Sequence, residues 1–239
     1  MAPVVYKTLM LKLSGEAMWD EQGNVYDYER LDHILSQMAY LAQRHALAVV
    51  IGWGNIWRYR DNIKTGIERV TSDYVGMTAT IINAIVLSEK MAQRGHKIIV
   101  YTPKHMQIPN CTHPYNVHQA REHLRNGRIV FCAGGTGNPY ATTDAAAVGK
   151  ALELKCDMVI KATKVDGVYT ADPFQDPKAT KYQEITRNEA LDRRVAVMDY
   201  PALALAAEER LPIWVCRLDQ IAQLGEKEIG TWIAEEQDA

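Results

Sequence analysis

The chain has 239 residues, of which 47% are hydrophobic, and its formal net charge is −2. This near-neutral balance excludes a protein whose whole surface attracts nucleic acid, and the length is sufficient for one large α/β domain. No apolar run approaches the roughly 20 residues that a spanning helix needs, and the first residues lack the charged-then-apolar order of a signal peptide. We therefore expect a cytoplasmic protein that binds neither membranes nor nucleic acid.

The cysteines are widely spread and form no C-x-x-C pair. They are Cys111, Cys132, Cys156 and Cys216. This pattern favours reduced, mostly buried thiols over a disulfide or zinc framework. Cys111, His113, His118 and His123 lie close together in the sequence, but their spacing matches no structural zinc pattern.

Apolar runs alternate with amphipathic stretches along the chain, which is typical of a parallel sheet covered by helices. In chain order the sequence predicts a strand at 8–13, a helix at 28–45, a strand at 46–51, a helix at 72–94, a strand at 97–101, a helix at 115–125, a strand at 128–133, a helix at 144–154 with Asp144 near its N-cap, a strand at 158–162, short helices at 188–193 and 201–209, a strand at 211–216 and a closing edge strand at 230–233. We expect one domain over 1–239, with a soft division near residue 150 into lobes 1–150 and 151–239.

Three glycine-rich loops follow predicted strands, at 14–15, 52–55 and 134–138. Ligands of open α/β sheets bind at the carboxyl ends of strands, and glycine lets backbone amides approach an anion closely. The three loops together therefore predict a site for a polyphosphate. The sequence contains no Walker motif, and the third loop does not fit a dinucleotide fingerprint.

Several polar residues near these loops suit the phosphate, sugar or base of a nucleotide, although each also has a simpler structural interpretation. Lys12 could reach a transferring phosphoryl group, or it could be a solvated strand lysine. Arg58 suits a phosphate and Asp73 suits sugar hydroxyls, but both could be surface or helix-capping residues. The stretch 162–173 offers groups for a base and ribose, or it could simply form an Asp-Gly turn and an Asp-Pro turn.

The combination of motifs resembles the bacterial uridylate kinases, which are of the amino-acid-kinase type. The matching stretches are Leu-Lys-Leu-Ser-Gly-Glu-Ala at 11–17, Gly-Asn-Ile-Trp-Arg at 54–58, 72–80, Gly-Thr-Gly-Asn-Pro at 135–139 with Thr-Thr-Asp at 142–144, 161–173, 197–199 and 225–228. They cover nearly the whole chain in the family's order, which makes the resemblance specific.

The resemblance implies a three-layer α/β/α fold with a twisted, mostly parallel central sheet. It implies transfer of the ATP γ-phosphoryl group to UMP, giving UDP and ADP, with Mg²⁺ carried by the ATP phosphates. It also implies a homohexamer built as a trimer of dimers, with UMP in lobe 1–150 and ATP in lobe 151–239. Because the UMP phosphate is already an ionised nucleophile, such a reaction needs alignment and charge neutralisation more than a strong base.

Site residues follow from the resemblance, position by position. The catalytic candidates are Lys12, Arg58, Asp144 and Asp199. The ATP-binding candidates are Lys12, Leu13, Ser14, Gly15, Gly54, Arg58, Thr163, Tyr169 and Asp172. The UMP-binding candidates are Trp53, Asp73, Thr136, Gly137, Asn138, Pro139, Tyr140, Ala141, Thr142 and Thr143.

The sequence departs from the family pattern at three places. Trp53 and Tyr59 stand where glycines are usual, and the Pro- and His-rich segment 101–118 differs from the usual family sequence. A tryptophan adopts positive φ only at a cost, so the acceptor side of the site is where this chain should differ. Two alternatives remain open: a small-acid kinase of the same fold, and a non-catalytic nucleotide- or oxoanion-binding protein.

Overall fold

A nine-stranded sheet forms the centre of the computed structural model, which describes residues 8–20, 24–57, 63–195, 198–226 and 228–235. The strands are β1 (Thr8–Leu13), β2 (Ala46–Ile51), β3 (Ile98–Thr102), β4 (His113–Pro114), β5 (Ile129–Cys132), β6 (Met158–Thr163), β7 (Glu184–Ile185), β8 (Ile213–Arg217) and β9 (Thr231–Ile233). Their order across the sheet is β4-β3-β5-β2-β1-β6-β8-β9-β7. Within the described residues, β8 and β9 pair antiparallel and every other neighbouring pair is parallel.

Helices cover both faces of this sheet. They are α1 (Tyr28–Ala42), α2 (Arg69–Gln93), α3 (Val117–Arg125), α4 (Thr143–Leu154), α5 (Arg187–Asp192) and α6 (Tyr200–Glu208). Buried side chains of α1 and α2 pack with one face of the strands, and those of α3, α4, α5 and α6 pack with the other. The predicted three-layer α/β/α fold with a mostly parallel sheet is therefore confirmed.

Residues of the central strands alternate between the two cores, as the two-residue period of a strand requires. In β1, Leu9 and Leu11 join the core of α1 and α2, whereas Met10 joins the core of α4. The same alternation in β6 sends Ile160 toward α1 and α2 and Val159 toward α4. Lys12 and Lys161 follow this period and belong to the α4 face.

The long helix α2 is more apolar overall than the short apolar runs in its sequence indicated. Among the described helices it alone is long and apolar enough to cross a membrane, with a mean hydropathy of 1.3 over its most apolar window. However, 56% of that window is buried inside the protein. The burial of Ile81, Ala84 and Leu87 against the sheet identifies α2 as a core helix.

The structure corrects the sequence prediction at the sheet edge and at several helix ends. The helix predicted over 28–45 ends at Ala42, and the helices predicted to begin at 72 and 115 begin at Arg69 and Val117. β9 is not the edge strand, because β7 pairs outside it. β4 and β7 have two residues each and carry no periodic signal, so they were not predicted. Helix α4 is capped by Thr142, which places Asp144 inside the first turn.

All four cysteines are free thiols, as expected. Cys132, Cys156 and Cys216 are buried, and Cys111 is exposed.

Candidate active site

Two of the glycine loops touch each other at the carboxyl ends of β1 and β2. A Cβ placed on Gly15 would lie 2.6 Å from the carbonyl oxygen of Gly52 and 2.6 Å from the amide nitrogen of Gly54. No side chain fits in that space, so glycine at position 15 is required by the close approach of the two backbones. The third loop lies against α2, where the Gly134 amide donates a hydrogen bond of 2.7 Å to Thr80 Oγ1.

A cavity of about 380 Å³ opens between these loops and α2. Its lining consists of Lys12, Ser14, Gly15, Glu16, Gly52, Trp53, Gly54, Arg69, Ser72, Asp73 and Thr143. Candidates for the catalytic, ATP and UMP groups thus meet in one space. Leu13 contributes only its backbone, because its side chain is fully buried while its carbonyl accepts a hydrogen bond of 2.8 Å from the Gly52 amide.

A buried aspartate between two lysines stands at the base of this site. Lys12 and Lys161 are opposite each other in the register of β1 and β6. Asp144 Oδ1 lies 2.8 Å from Lys12 Nζ, and Asp144 Oδ2 accepts a hydrogen bond of 2.7 Å from Lys161 Nζ. Their relative exposures are 7% for Lys12, 9% for Lys161 and 9% for Asp144, so all three charges are withdrawn from solvent.

The protonation of this cluster follows from burial and mutual charge. Burial would raise the pKa of the Asp144 carboxyl, but the positive charges of Lys12 and Lys161 outweigh burial and lower that pKa below its usual value. Burial, together with the neighbouring charge of Lys12, lowers the pKa of Lys161 to about 8. At neutral pH Asp144 is therefore a carboxylate and Lys161 is an ammonium group. Of the three side chains of the cluster, Lys12 is the one that lines the cavity.

Asp199 acts on this cluster through the start of α4. Thr142 Oγ1 accepts hydrogen bonds of 3.1 Å from the amides of Asp144 and Ala145, and it donates one to Asp199 Oδ2. Asp199 Oδ1 in turn caps α6 by accepting a hydrogen bond of 2.8 Å from the Ala202 amide. Asp199 thus joins two helix starts, and within the described contacts it meets Asp144 only by way of Thr142.

Asp73 connects α2 to the loop that carries most of the UMP candidates. Asp73 Oδ1 pairs with Arg69 Nε at 2.8 Å, and Asp73 Oδ2 accepts a hydrogen bond of 2.8 Å from the Tyr140 amide. Tyr140 has a φ of 61°, and its side chain is 71% exposed beside Arg69.

The rest of this loop is partly held by its own hydrogen bonds. Thr136 Oγ1 accepts a hydrogen bond of 3.2 Å from the Asn138 amide, and the Gly137 amide donates one of 3.0 Å to the Gly134 carbonyl. Pro139 and Ala141 are half-buried. Thr143 is buried at the cavity wall, whereas Thr142 serves as the helix cap.

The Pro- and His-rich segment packs on the same loop. A Cβ on Gly134 would lie 2.6 Å from Pro103 Cδ, and His105 Nε2 is 3.1 Å from the Gly137 carbonyl oxygen. Arg58 and Tyr59 lie outside the described residues.

The three adenosine candidates lie at the end of β6 and in the segment that follows it. Thr163 is the last residue of β6. The Tyr169 hydroxyl donates a hydrogen bond of 2.6 Å to Asp166 Oδ1. Asp172 is exposed, and its Oδ1 accepts a hydrogen bond of 3.0 Å from the Phe174 amide, which is the turn that the simpler interpretation predicts.

Lys161 and Asn83 were missed as site residues. Lys161 carried a usable signal, because a lysine in the otherwise apolar strand 158–162 must find a buried partner. Asn83 carried a weaker one, as a single amide on the apolar face of a long helix.

Comparison with known proteins agrees with this geometry. The sequence model described as the amino acid kinase family matches residues 7–217, and the chain therefore belongs to the amino acid kinase family. The similar relatives within this family are uridylate kinases. A uridylate kinase of Methylococcus capsulatus is 42% identical over 216 residues, which are 90% of this chain and 90% of the relative. A uridylate kinase of Rickettsia bellii is 40% identical over 213 residues, covering 88% of this chain and 87% of the relative.

A solved structure supports the same relationship. The UMP kinase of Bacillus anthracis superposes with a TM-score of 0.91 at 34% identity, covering 98% of each chain. The resemblance to uridylate kinases that the motifs predicted is confirmed.

Proposed function

We propose that this chain transfers the γ-phosphoryl group of ATP to UMP, giving UDP and ADP. The observation that carries the proposal is the pair of lysines on one buried aspartate, Lys12 and Lys161 on Asp144, beside two touching glycine loops. This arrangement concentrates positive charge and backbone amides on one small cavity, which suits a chain of phosphates between two nucleotides. Relatives named uridylate kinase at about 40% identity support UMP as the acceptor.

The chain's own residues act by alignment and charge. Lys12 lines the cavity, and its ammonium group would neutralise charge on the transferring phosphoryl group. Asp144 keeps Lys12 in place through an ion pair of 2.8 Å. Because the UMP phosphate is an ionised nucleophile, no side chain has to remove a proton from it.

The site also fits Mg²⁺ held with ATP. Asp144 Oδ1 meets Lys12 as an ion pair, and among the described residues no donor reaches it with hydrogen-bond geometry. A carboxylate oxygen is the kind of hard ligand that Mg²⁺ or its bound water prefers. The ATP phosphates would carry the ion, and Asp144 would help to organise it, with Asp199 fixing the helix start behind Asp144. When bound, Mg²⁺ would supply further neutralisation of the phosphate charge.

The substrates are assigned to the two sides of the cavity. ATP would lie along Lys12, Ser14, Gly15 and Gly54 with Arg58 at the junction, and its adenosine would lie toward Thr163, Tyr169 and Asp172. UMP would lie against Trp53, Asp73 and the loop 136–143. In the proposed division of the chain, UMP belongs to lobe 1–150 and the adenosine of ATP to lobe 151–239, while the ATP phosphates lie on residues of lobe 1–150 between them.

Assembly into a homohexamer of three dimers is also proposed. Helix α2 exposes Val70, Tyr74, Val75 and Ile82, which would be covered by α2 of a second copy. The proposed function also favours a cytoplasmic location for the enzyme.

A panel of nucleoside monophosphates with ATP and Mg²⁺, followed by product analysis, tests the proposal. We expect UDP from UMP at a rate well above that for the other nucleotides. Binding of UMP without turnover would favour the non-catalytic alternative, and turnover of a carboxylate or carbamate instead would favour the small-acid kinase.

A further inference from the structure

We propose that Asn83 is a positioning residue that holds the loops 14–15 and 52–55 against each other and thereby sets kcat without contacting either substrate. The inference rests on the proposed function, because it concerns the loops assigned there to the phosphates.

Asn83 lies in the middle of α2 and is 0% exposed. Its Nδ2 donates hydrogen bonds of 2.8 Å to the Gly52 carbonyl and 2.8 Å to Asn55 Oδ1. Its Oδ1 accepts hydrogen bonds of 2.8 Å from the Tyr26 hydroxyl and 3.0 Å from Asn55 Nδ2. An asparagine side chain offers two donors and two lone pairs, so this amide is fully used.

The atoms that Asn83 holds are also the atoms that meet Gly15. A Cβ placed on Gly15 would lie 2.6 Å from the Gly52 carbonyl oxygen and 2.8 Å from Asn55 Oδ1. Both oxygens are therefore fixed on one side by Asn83 Nδ2 and rest on the other side against the backbone of Gly15. A shift of either oxygen is transmitted directly to the loop that follows Lys12.

The hydrogen-bond network has two ends with different consequences. At one end Asn83 binds the second phosphate loop through Gly52 and Asn55. At the other end the Tyr26 hydroxyl ties α2 to the segment before α1 by donating to Asn83 Oδ1. The loop 52–55 is bonded to that segment separately, because Asn55 Nδ2 donates a hydrogen bond of 3.2 Å to the Val25 carbonyl. Loss of the Tyr26 hydroxyl should therefore cost stability alone, whereas loss of the Asn83 donor should also misalign the phosphates.

Asn83→Asp is the decisive variant, because it keeps the shape but replaces the donor with an oxygen that faces two other oxygens. Misplacement of a reacting group by about 1 Å costs up to about 100-fold in rate. We expect kcat to fall about 10- to 100-fold with KM for UMP and ATP nearly unchanged, since alignment matters most in the transition state. Tyr26→Phe is the matched control and should keep kcat while lowering the unfolding midpoint.

Asn83→Ala is a second variant that also removes the amide donor. The kcat of each folded variant is measured at a temperature well below its thermal unfolding midpoint. A folded Asn83 variant with the wild-type kcat would overturn the inference. So would a Tyr26→Phe enzyme whose kcat falls as far as that of the Asn83 variant. Wild-type protein that leaves UMP unphosphorylated would instead contradict the proposed function, so the two failures are distinguishable.

Discussion

The indole of Trp53 lies directly on the backbone of Gly76. A Cβ placed on Gly76 would come 3.0 Å from both Nε1 and Cε2 of that indole. The loop is tied to the same helix a second time, because Trp57 Nε1 donates a hydrogen bond of 2.8 Å to Ser72 Oγ. Trp53 is not among the described residues with positive φ, so the loop accepts a tryptophan here without the cost of a left-handed backbone. The large ring at this position is therefore accommodated by the missing side chain at Gly76.

Gly76→Ala should push the Trp53 ring toward the acceptor side of the cavity and raise KM for UMP several-fold. In a Trp53→Gly background the same alanine has no ring to displace, so its effect should be much smaller. The measurement is a double-mutant cycle on KM for UMP, with KM for ATP as the internal control. Additive effects of the two substitutions would contradict the coupling.

Lys12→Ala should lower kcat about 100- to 1,000-fold, because it removes a preorganised positive charge from the transferring group. The fold should be retained, since Asp144 keeps its partner Lys161. Steady-state kinetics with UMP, together with circular dichroism and thermal unfolding, would check this. Normal turnover by the variant would remove Lys12 from the mechanism.

Lys161 makes the free energy of unfolding depend on pH, and the sign of this dependence follows from its lowered pKa. Its pKa is lowered to about 8 in the folded chain, whereas an unfolded lysine titrates near 10.4. Between these values the unfolded chain binds the extra proton, so the contribution of Lys161 to the free energy of unfolding rises with pH. Below pH 8 the lysine is charged in both states and this gain is absent.

Urea unfolding of the wild type and Lys161→Met at pH 7 and pH 9.5 isolates this contribution. We expect the free energy of unfolding of the wild type to gain, relative to the variant, about 2 kcal/mol between the two pH values. A difference that is constant with pH would show that Lys161 titrates at its ordinary pKa.

The strands and helices were predictable from the sequence because apolar periodicity is a local signal. The pattern Leu-Met-Leu-Lys-Leu placed β1 correctly, but it could not show that Lys12 stands opposite Lys161, which depends on register between distant strands. Asp199 stays a predicted organising residue of the centre, but the sequence could not show that its carboxylate would cap α6 and accept a hydrogen bond from Thr142. Contacts between residues that are distant in the sequence depend on tertiary packing, which local sequence patterns do not reveal.

The pairing of Lys12 with Lys161 across β1 and β6 also bears on how the chain folds. Two positive charges placed opposite each other disfavour strand association, and their counterion arrives on a separate segment, the helix Thr143–Leu154. We therefore expect β1 and β6 to pair only when that helix docks on them. Because β6 follows β1 by about 150 residues, this pairing should be a slow step of folding.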